Sequence, residues 1–193
     1  VPDAVDVEIF RDEAVVDRII AAAHAADVKV IASNHEFGHT PAAEELVRRL
    51  LLMERRGADV LKIAVMPKSP GDVLALLGAT WTTSQQATRP LITMSMTATG
   101  VVSRLAGGTF GSCATFGTVG KASAPGQIPV AQLRAALLRG TSAGPAAESQ
   151  VALSDSVHKA IVEAVSSSGS SSDTGLDLQL SGIVPAGGGG GNT

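Results

Sequence analysis

Cysteine is nearly absent: Cys113 stands alone among 193 residues. An intramolecular disulfide is excluded, and so are zinc sites built from four cysteines. Long apolar runs are missing too. No stretch of about 18 apolar residues occurs, and the N-terminus has no basic-then-apolar leader pattern, which speaks against a spanning helix or a secretory signal. Clustered positive charge is also lacking. The 15 basic residues are scattered and the formal charge is −3, unlike a nucleic-acid footprint. The expectation is a soluble cytoplasmic protein that binds neither membrane nor nucleic acid. Aromatics are scarce at 3%, but 45% of residues are hydrophobic and mean hydropathy is +0.25. That is enough apolar material for a core, so wholesale disorder is excluded.

Five short apolar runs punctuate the first part of the chain: Val5–Phe10, Val28–Asn34, Val60–Met66, Leu91–Met96 and the weaker Cys113–Gly117. They are rich in β-branched residues and read as buried strands. Helical patterns lie between them. Residues 12–25 repeat Val15, Val16, Ile19, Ile20 and Ala23 on one face. Pro41 is expected at the first turn of the next helix, with Leu46, Leu50 and Met53 along its face and Gly57 at its C-terminal cap. Residues 71–86, 100–107 and 129–139 read as further helices.

Strand and helix alternating five times imply a parallel sheet with crossover helices. No G-x-G-x-x-G follows a strand, so a dinucleotide-binding sheet has no support. The strand ends carry Glu8, His35, Lys62, Met96 and Gly117, and barrels place functional residues there. The fold class is therefore α/β, of the (β/α)₈ TIM barrel kind. A full barrel needs eight strands and typically about 250 residues. Residues 1–140 are expected to supply only the last five βα units. The inner face, with Ala64, Met66, Met94 and Met96, is then expected to be exposed in an isolated monomer. Residues 141–193 read as a linker, a possible short helix around Val157–Val165 and a disordered Ser/Gly-rich tail.

Lys62 shares a strand face with Ala64 and Met66, the inward face of a barrel. Burial disfavours a charged amine, and a neutral amine can attack a carbonyl to form a Schiff base. A lysine snorkelling to solvent is the competing reading. His35 ends the neighbouring strand, where imidazole suits acid/base work. His39 lies beyond Gly38 in the loop. A His35/His39 metal pair is disfavoured by Gly38 and Pro41 and lacks a third ligand, so no metal is expected. His24 and His158 read as helix-surface residues. Arg104 offers a planar fork to a carboxylate or phosphate, against a surface salt bridge as alternative. Ser123 follows the last strand in Ser123-Ala124-Pro125-Gly126-Gln127, as an anion contact or a helix cap. Asp6 and Glu8 share one face of the first strand, read as inward polar residues near Lys62.

The motifs VDVEIF, SNHEFGHTP, ADVLKIAVMP, RPLITMSM, TGVVSRLAG, FGSCATFG and KASAPGQIPV occur in this order between about Val5 and Leu138. Together they resemble the type I 3-dehydroquinate dehydratases. The resemblance implies a (β/α)₈ barrel, commonly dimeric, that converts 3-dehydroquinate to 3-dehydroshikimate and water in the shikimate pathway of aromatic amino acid biosynthesis, without cofactor or metal. It implies His35 as general acid/base and Lys62 as the Schiff-base lysine. It implies Arg104, Ser123 and Gln127 as substrate contacts, chiefly to the carboxylate. The family's glutamate that orients the histidine, with several substrate-hydroxyl contacts, is expected upstream of Val1. The alternatives are another Schiff-base barrel of the class I aldolase kind, or an inactive truncated fragment.

Overall fold

In a computed structural model of the chain, residues 2–120, 125–141 and 181–185 are described. Each strand grows from one of the apolar runs: β1 Ala4–Glu8, β2 Lys29–Glu36, β3 Val60–Val65, β4 Leu91–Ser95 and β5 Ala114–Thr118. Between them lie α1 Glu13–Ala25, α2 Ala43–Arg55, α3 Pro70–Ser84 and α4 Val101–Ala106 with a 3₁₀ turn, Gly107–Phe110. The two-residue β6, Ile128–Pro129, leads into α5, Val130–Thr141. Local chemistry sets the helix starts. Asp12 accepts a hydrogen bond from Val15 N at 3.0 Å, and Ser69 and Asp72 form a reciprocal capping box ahead of α3. Gly57, at φ 91°, takes the left-handed position just after α2. Pro41 departs from expectation. Ala42 is the N-cap of α2 with extended backbone, so Pro41 sits just outside the helix rather than in its first turn.

β1, β2, β3 and β4 form one parallel sheet in chain order. The parallel bridge Leu91↔Ser112 and the bond from Cys113 N to Leu91 O, 2.7 Å, carry the order on toward β5. β5 pairs with β6 in parallel. Within the stretch read as a disordered tail, Ser181–Pro185 forms a seventh strand, β7, antiparallel to β5. The call of a short helix around Val157–Val165 lies outside the described residues.

Parallel strands alternate their side chains between two covered faces. Val30, Ala32, Leu61, Ile63 and Leu91 face the helices and pack with Val16, Ile20, Leu46, Leu50, Met53 and Leu76. The other face gathers Ile31, Val60, Ala64, Ile92, Met94 and Met96 with Ala114. The exposure expected for this inner face does not hold for Ala64, Met94 and Met96, which are buried. Sheet twist accumulates from strand to strand, and it brings Cys113 and Phe116 onto that cluster. Among the described residues no helix is long and apolar enough to cross a membrane.

Candidate active site

The C-terminal ends of β1, β2 and β3 bring five polar side chains together. In the register, Glu8 lies opposite Ser33 and Ser33 opposite Lys62, while His35 lies opposite Ala64. Asp6, Glu8, Ser33, His35 and Lys62 therefore share the inner face. Lys62 is 8% exposed. Its Nζ donates to Asp6 Oδ2 at 2.6 Å and stands 4.9 Å from the centre of the Phe116 ring. Ser33 Oγ donates to the other Asp6 oxygen. Lys62 is thus not snorkelling, nor is it an isolated buried amine: a carboxylate stands within direct proton reach.

His35 Nδ1 stands 2.8 Å from Glu8 Oε2, and His35 N donates to Glu8 Oε1 at 3.2 Å. Asn34 Nδ2 donates to the same Glu8 oxygen at 3.2 Å. Burial pushes the Glu8 carboxyl up, but the His35 and Asn34 hydrogen bonds and the His35 charge outweigh it, leaving the carboxyl below its ordinary value. Within this chain the carboxylate that meets His35 is that of Glu8. Sequence alternation placed Glu8 on the inward face; it carried no sign of which partner Glu8 would find. The His35 ring stacks parallel on Phe37, centroids 5.9 Å apart. His39 is more exposed, 55% against 31% for the His35 side chain, and its nearest carboxylate is Glu36 at 3.6 Å. The structure does not bring His39 to Lys62.

Arg104 sits on α4, pinned to the end of β4. Ser103 Oγ accepts from Ser95 N at 2.8 Å and donates to Gly100 O at 2.7 Å. A Cβ on Gly100 would stand 2.3 Å from Ser95 O, so only glycine allows this approach. Arg104 is 2% exposed, which overturns the surface reading. One terminal nitrogen lies 3.4 Å from Phe116 O and 3.7 Å from Met94 Sδ, while Nε has no partner. Burial lowers its pKa. Among the described residues no carboxylate pairs with it, and a buried unpaired cation is a costly arrangement that a bound anion would relieve. Gln127 lies half-buried in the loop entering β6, and that loop is tied to the end of β4 by Thr97 N donating to Pro125 O at 3.1 Å. Ser123 lies outside the described residues. Cys113 takes no part in these contacts, and burial pushes its thiol up to about 12.

The family model described as type I 3-dehydroquinase matches residues 1–141. A 3-dehydroquinate dehydratase of Listeria monocytogenes serotype 4a (strain HCC23) is 63% identical over 132 residues, covering 68% of this chain and 52% of that protein. One of Klebsiella pneumoniae (strain 342) is 59% identical over 133 residues, covering 68% and 53%. The chain spans about half the length of the curated relatives it matches. Among solved structures, a 3-dehydroquinate dehydratase of Geobacillus kaustophilus matches with TM-score 0.71 and 40% identity over 74% of this chain and 55% of that one. A type I 3-dehydroquinate dehydratase of Clostridium difficile, solved with covalent modified comenic acid, matches with TM-score 0.68 and 50% identity over 71% and 54%. The parallel α/β architecture described above is accordingly part of the TIM barrel of these neighbours.

Proposed function

The chain belongs to the type I 3-dehydroquinase family, and from that premise we propose that it provides the Schiff-base portion of a 3-dehydroquinate dehydratase site. The observation that carries the reading is the placement of Lys62 and His35 on one inner face at adjacent strand ends, each beside its own β1 carboxylate. A covalently modified ligand in the Clostridium difficile neighbour is in keeping with it.

Asp6, 2.6 Å from Nζ, is the group within reach to take the Lys62 proton. The amine then attacks the C3 ketone of 3-dehydroquinate, and loss of water gives a protonated imine. The imine draws electrons from C2 and acidifies its protons. His35 removes one through Nε2, since Nδ1 faces Glu8. The C1 hydroxyl leaves as water with the proton His35 returns, and hydrolysis of the imine releases 3-dehydroshikimate and Lys62. Arg104, Gln127 and Ser123 hold the substrate carboxylate, Arg104 by a two-pronged hydrogen bond. The reaction belongs to the shikimate pathway and uses no cofactor or metal. Residues 1–140 form the barrel portion and 141–193 an appended tail, a division in keeping with the family match ending at 141. The protein is cytoplasmic and free of membrane and nucleic acid, and it pairs with a second copy. The exposed Leu74 and Trp81, seven residues apart on α3, offer apolar surface for that pairing.

Reductive trapping tests the assignment. The chain is joined to the N-terminal half of its Listeria monocytogenes relative, and the fusion is treated with 3-dehydroquinate and borohydride. The ligand mass is expected on the peptide containing Lys62. Its appearance on Lys68 or Lys121, or no adduct in an active fusion, would overturn the proposal.

A further inference from the structure

His35 and Glu8 do not stand alone. Behind them a chain of hydrogen bonds runs from α2 to the rim of the site. Arg49 NH1 donates to Asn34 Oδ1 at 2.8 Å and to Glu36 Oε1 at 2.8 Å. Its Nε donates to Glu45 at 2.7 Å, and its guanidinium lies over the Phe10 ring at 5.3 Å. Asn34, 5% exposed, passes the connection on through Nδ2 to Glu8 Oε1.

The chemistry of the amide explains why asparagine fits this place. It must accept from a guanidinium on one side and donate to a carboxylate on the other, and a neutral amide does both from opposite arms of one planar group. The two charged neighbours also lock its orientation. A flipped amide would set its oxygen against Glu8 and its NH₂ against Arg49. Arg49 in turn is held by Glu36 and Glu45, which balance its charge. It therefore bonds Asn34 without drawing the Glu8 carboxylate away from His35.

We propose that Asn34 and Arg49 are positioning residues, bracing Glu8 so that it holds His35 with Nδ1 protonated and Nε2 free to move the substrate proton. They touch no substrate and act through Glu8. In water the imidazole exchanges between two tautomers; a fixed carboxylate at Nδ1 selects one. This rests on the reading of His35 as the proton-transfer group, and it adds what sets its tautomer.

The test separates the two claims. Long-range ¹H–¹⁵N spectra of the active fusion without substrate, with the imidazole neutral, read the tautomer directly, without catalysis. The wild type is expected to show Nδ1–H as the dominant form. Asn34→Ala should mix the tautomers. Asn34→Asp, which keeps an acceptor for Arg49 but sets a carboxylate against Glu8, should mix them further. Arg49→Lys, which keeps the charge and loses the fork, should move them the same way by less, and it stands in if an Asn34 variant fails to fold. An unchanged Nδ1–H population in folded Asn34 variants, or in Arg49→Lys where those do not fold, would overturn the inference. In the active fusion, Asn34→Ala should lower kcat by up to about 10²-fold with KM little changed, while borohydride trapping at Lys62 persists. A KM-only change would also overturn it. Full turnover in His35→Ala would sink the underlying reading instead, leaving the tautomer result standing by itself.

Discussion

Arg104 is held 2% exposed with Nε unpartnered and no carboxylate beside it among the described residues. An isolated buried guanidinium is unfavourable, so its retention makes sense if an anion completes it. Replacing it with lysine keeps the charge and loses the planar fork. Arg104→Lys in the fusion is expected to raise KM for 3-dehydroquinate by roughly tenfold, the factor that follows from about 1.4 kcal/mol of a charge-assisted hydrogen bond. Its melting temperature should change little, since among the described residues the hydrogen bonds of Arg104 to the fold are two long ones. Steady-state kinetics beside a thermal melt checks both halves. Unchanged kinetics with a lowered melting temperature would make Arg104 a structural residue. At this scale the sequence was informative about place and silent about pairing. Period-two alternation put Lys62 with Ala64, and Asp6 with Glu8, on one inner face. The pairs Asp6–Lys62 and Glu8–His35 depend on the register between strands, and a parallel ladder leaves no local mark of register in either strand. The burial of Arg104 was illegible for a similar reason: α4 is six residues long, too short for its hydrophobic pattern to declare a face.

The strands themselves were legible because both their faces are covered, which forces continuous β-branched runs. The start of α2 was displaced because a proline suits the residue ahead of the N-cap as well as the first turn. β7 was missed because Ser181-Gly182-Ile183-Val184-Pro185 is short and its partner lies more than 60 residues away. The glycines of the loops say more. Gly126 adopts φ 77°, and a Cβ there would stand 2.3 Å from Thr97 O. The bond from Thr97 N to Pro125 O holds the loop against β4, so the clash cannot be relieved without moving Gln127. Gly120 has a similar φ of 82° with open space around it. Gly126→Ala is expected to destabilise the fold by about 1–3 kcal/mol from backbone strain alone and to raise KM as the loop withdraws. Gly120→Ala should show strain without the KM effect. Denaturant melts and kinetics on the two variants decide it; equal KM values would mean that the approach to Thr97 does not position the substrate loop.

At the scale of the whole molecule, the sheet of described strands ends on an unsatisfied edge. β1 pairs with β2 on one side, and among the described residues no strand pairs with its other side. Beside that edge runs a groove of about 290 Å³ lined by Val5, Val7, Val15, Val16 and Ile19 together with Asp6, Glu8 and Arg11. Val15 and Ile19 of α1 are 40% and 42% exposed there. A strand edge with a helix presenting aliphatic side chains beside it is the surface a further parallel βα unit covers. The carboxylates of Asp6 and Glu8 lie on this strand, so whatever covers the edge also shields them from water and strengthens their pairing with Lys62 and His35. The 193-residue chain by itself is therefore expected to turn over no 3-dehydroquinate and to self-associate through β1, visible as a concentration-dependent mass in light scattering. Joined to the N-terminal half of the Listeria monocytogenes relative, it should become a defined species with activity, and the amides of Ala4, Asp6 and Glu8, which point away from β2, should gain protection from hydrogen exchange. Because Ala64, Met94 and Met96 are already buried, the gain should be concentrated at β1 and α1 rather than spread over the inner face. Activity from the chain alone at dilutions where it is monomeric would show that the open edge is no obstacle to the chemistry, and protection gained evenly across β1 to β4 would show that the sheet, not its edge, was incomplete.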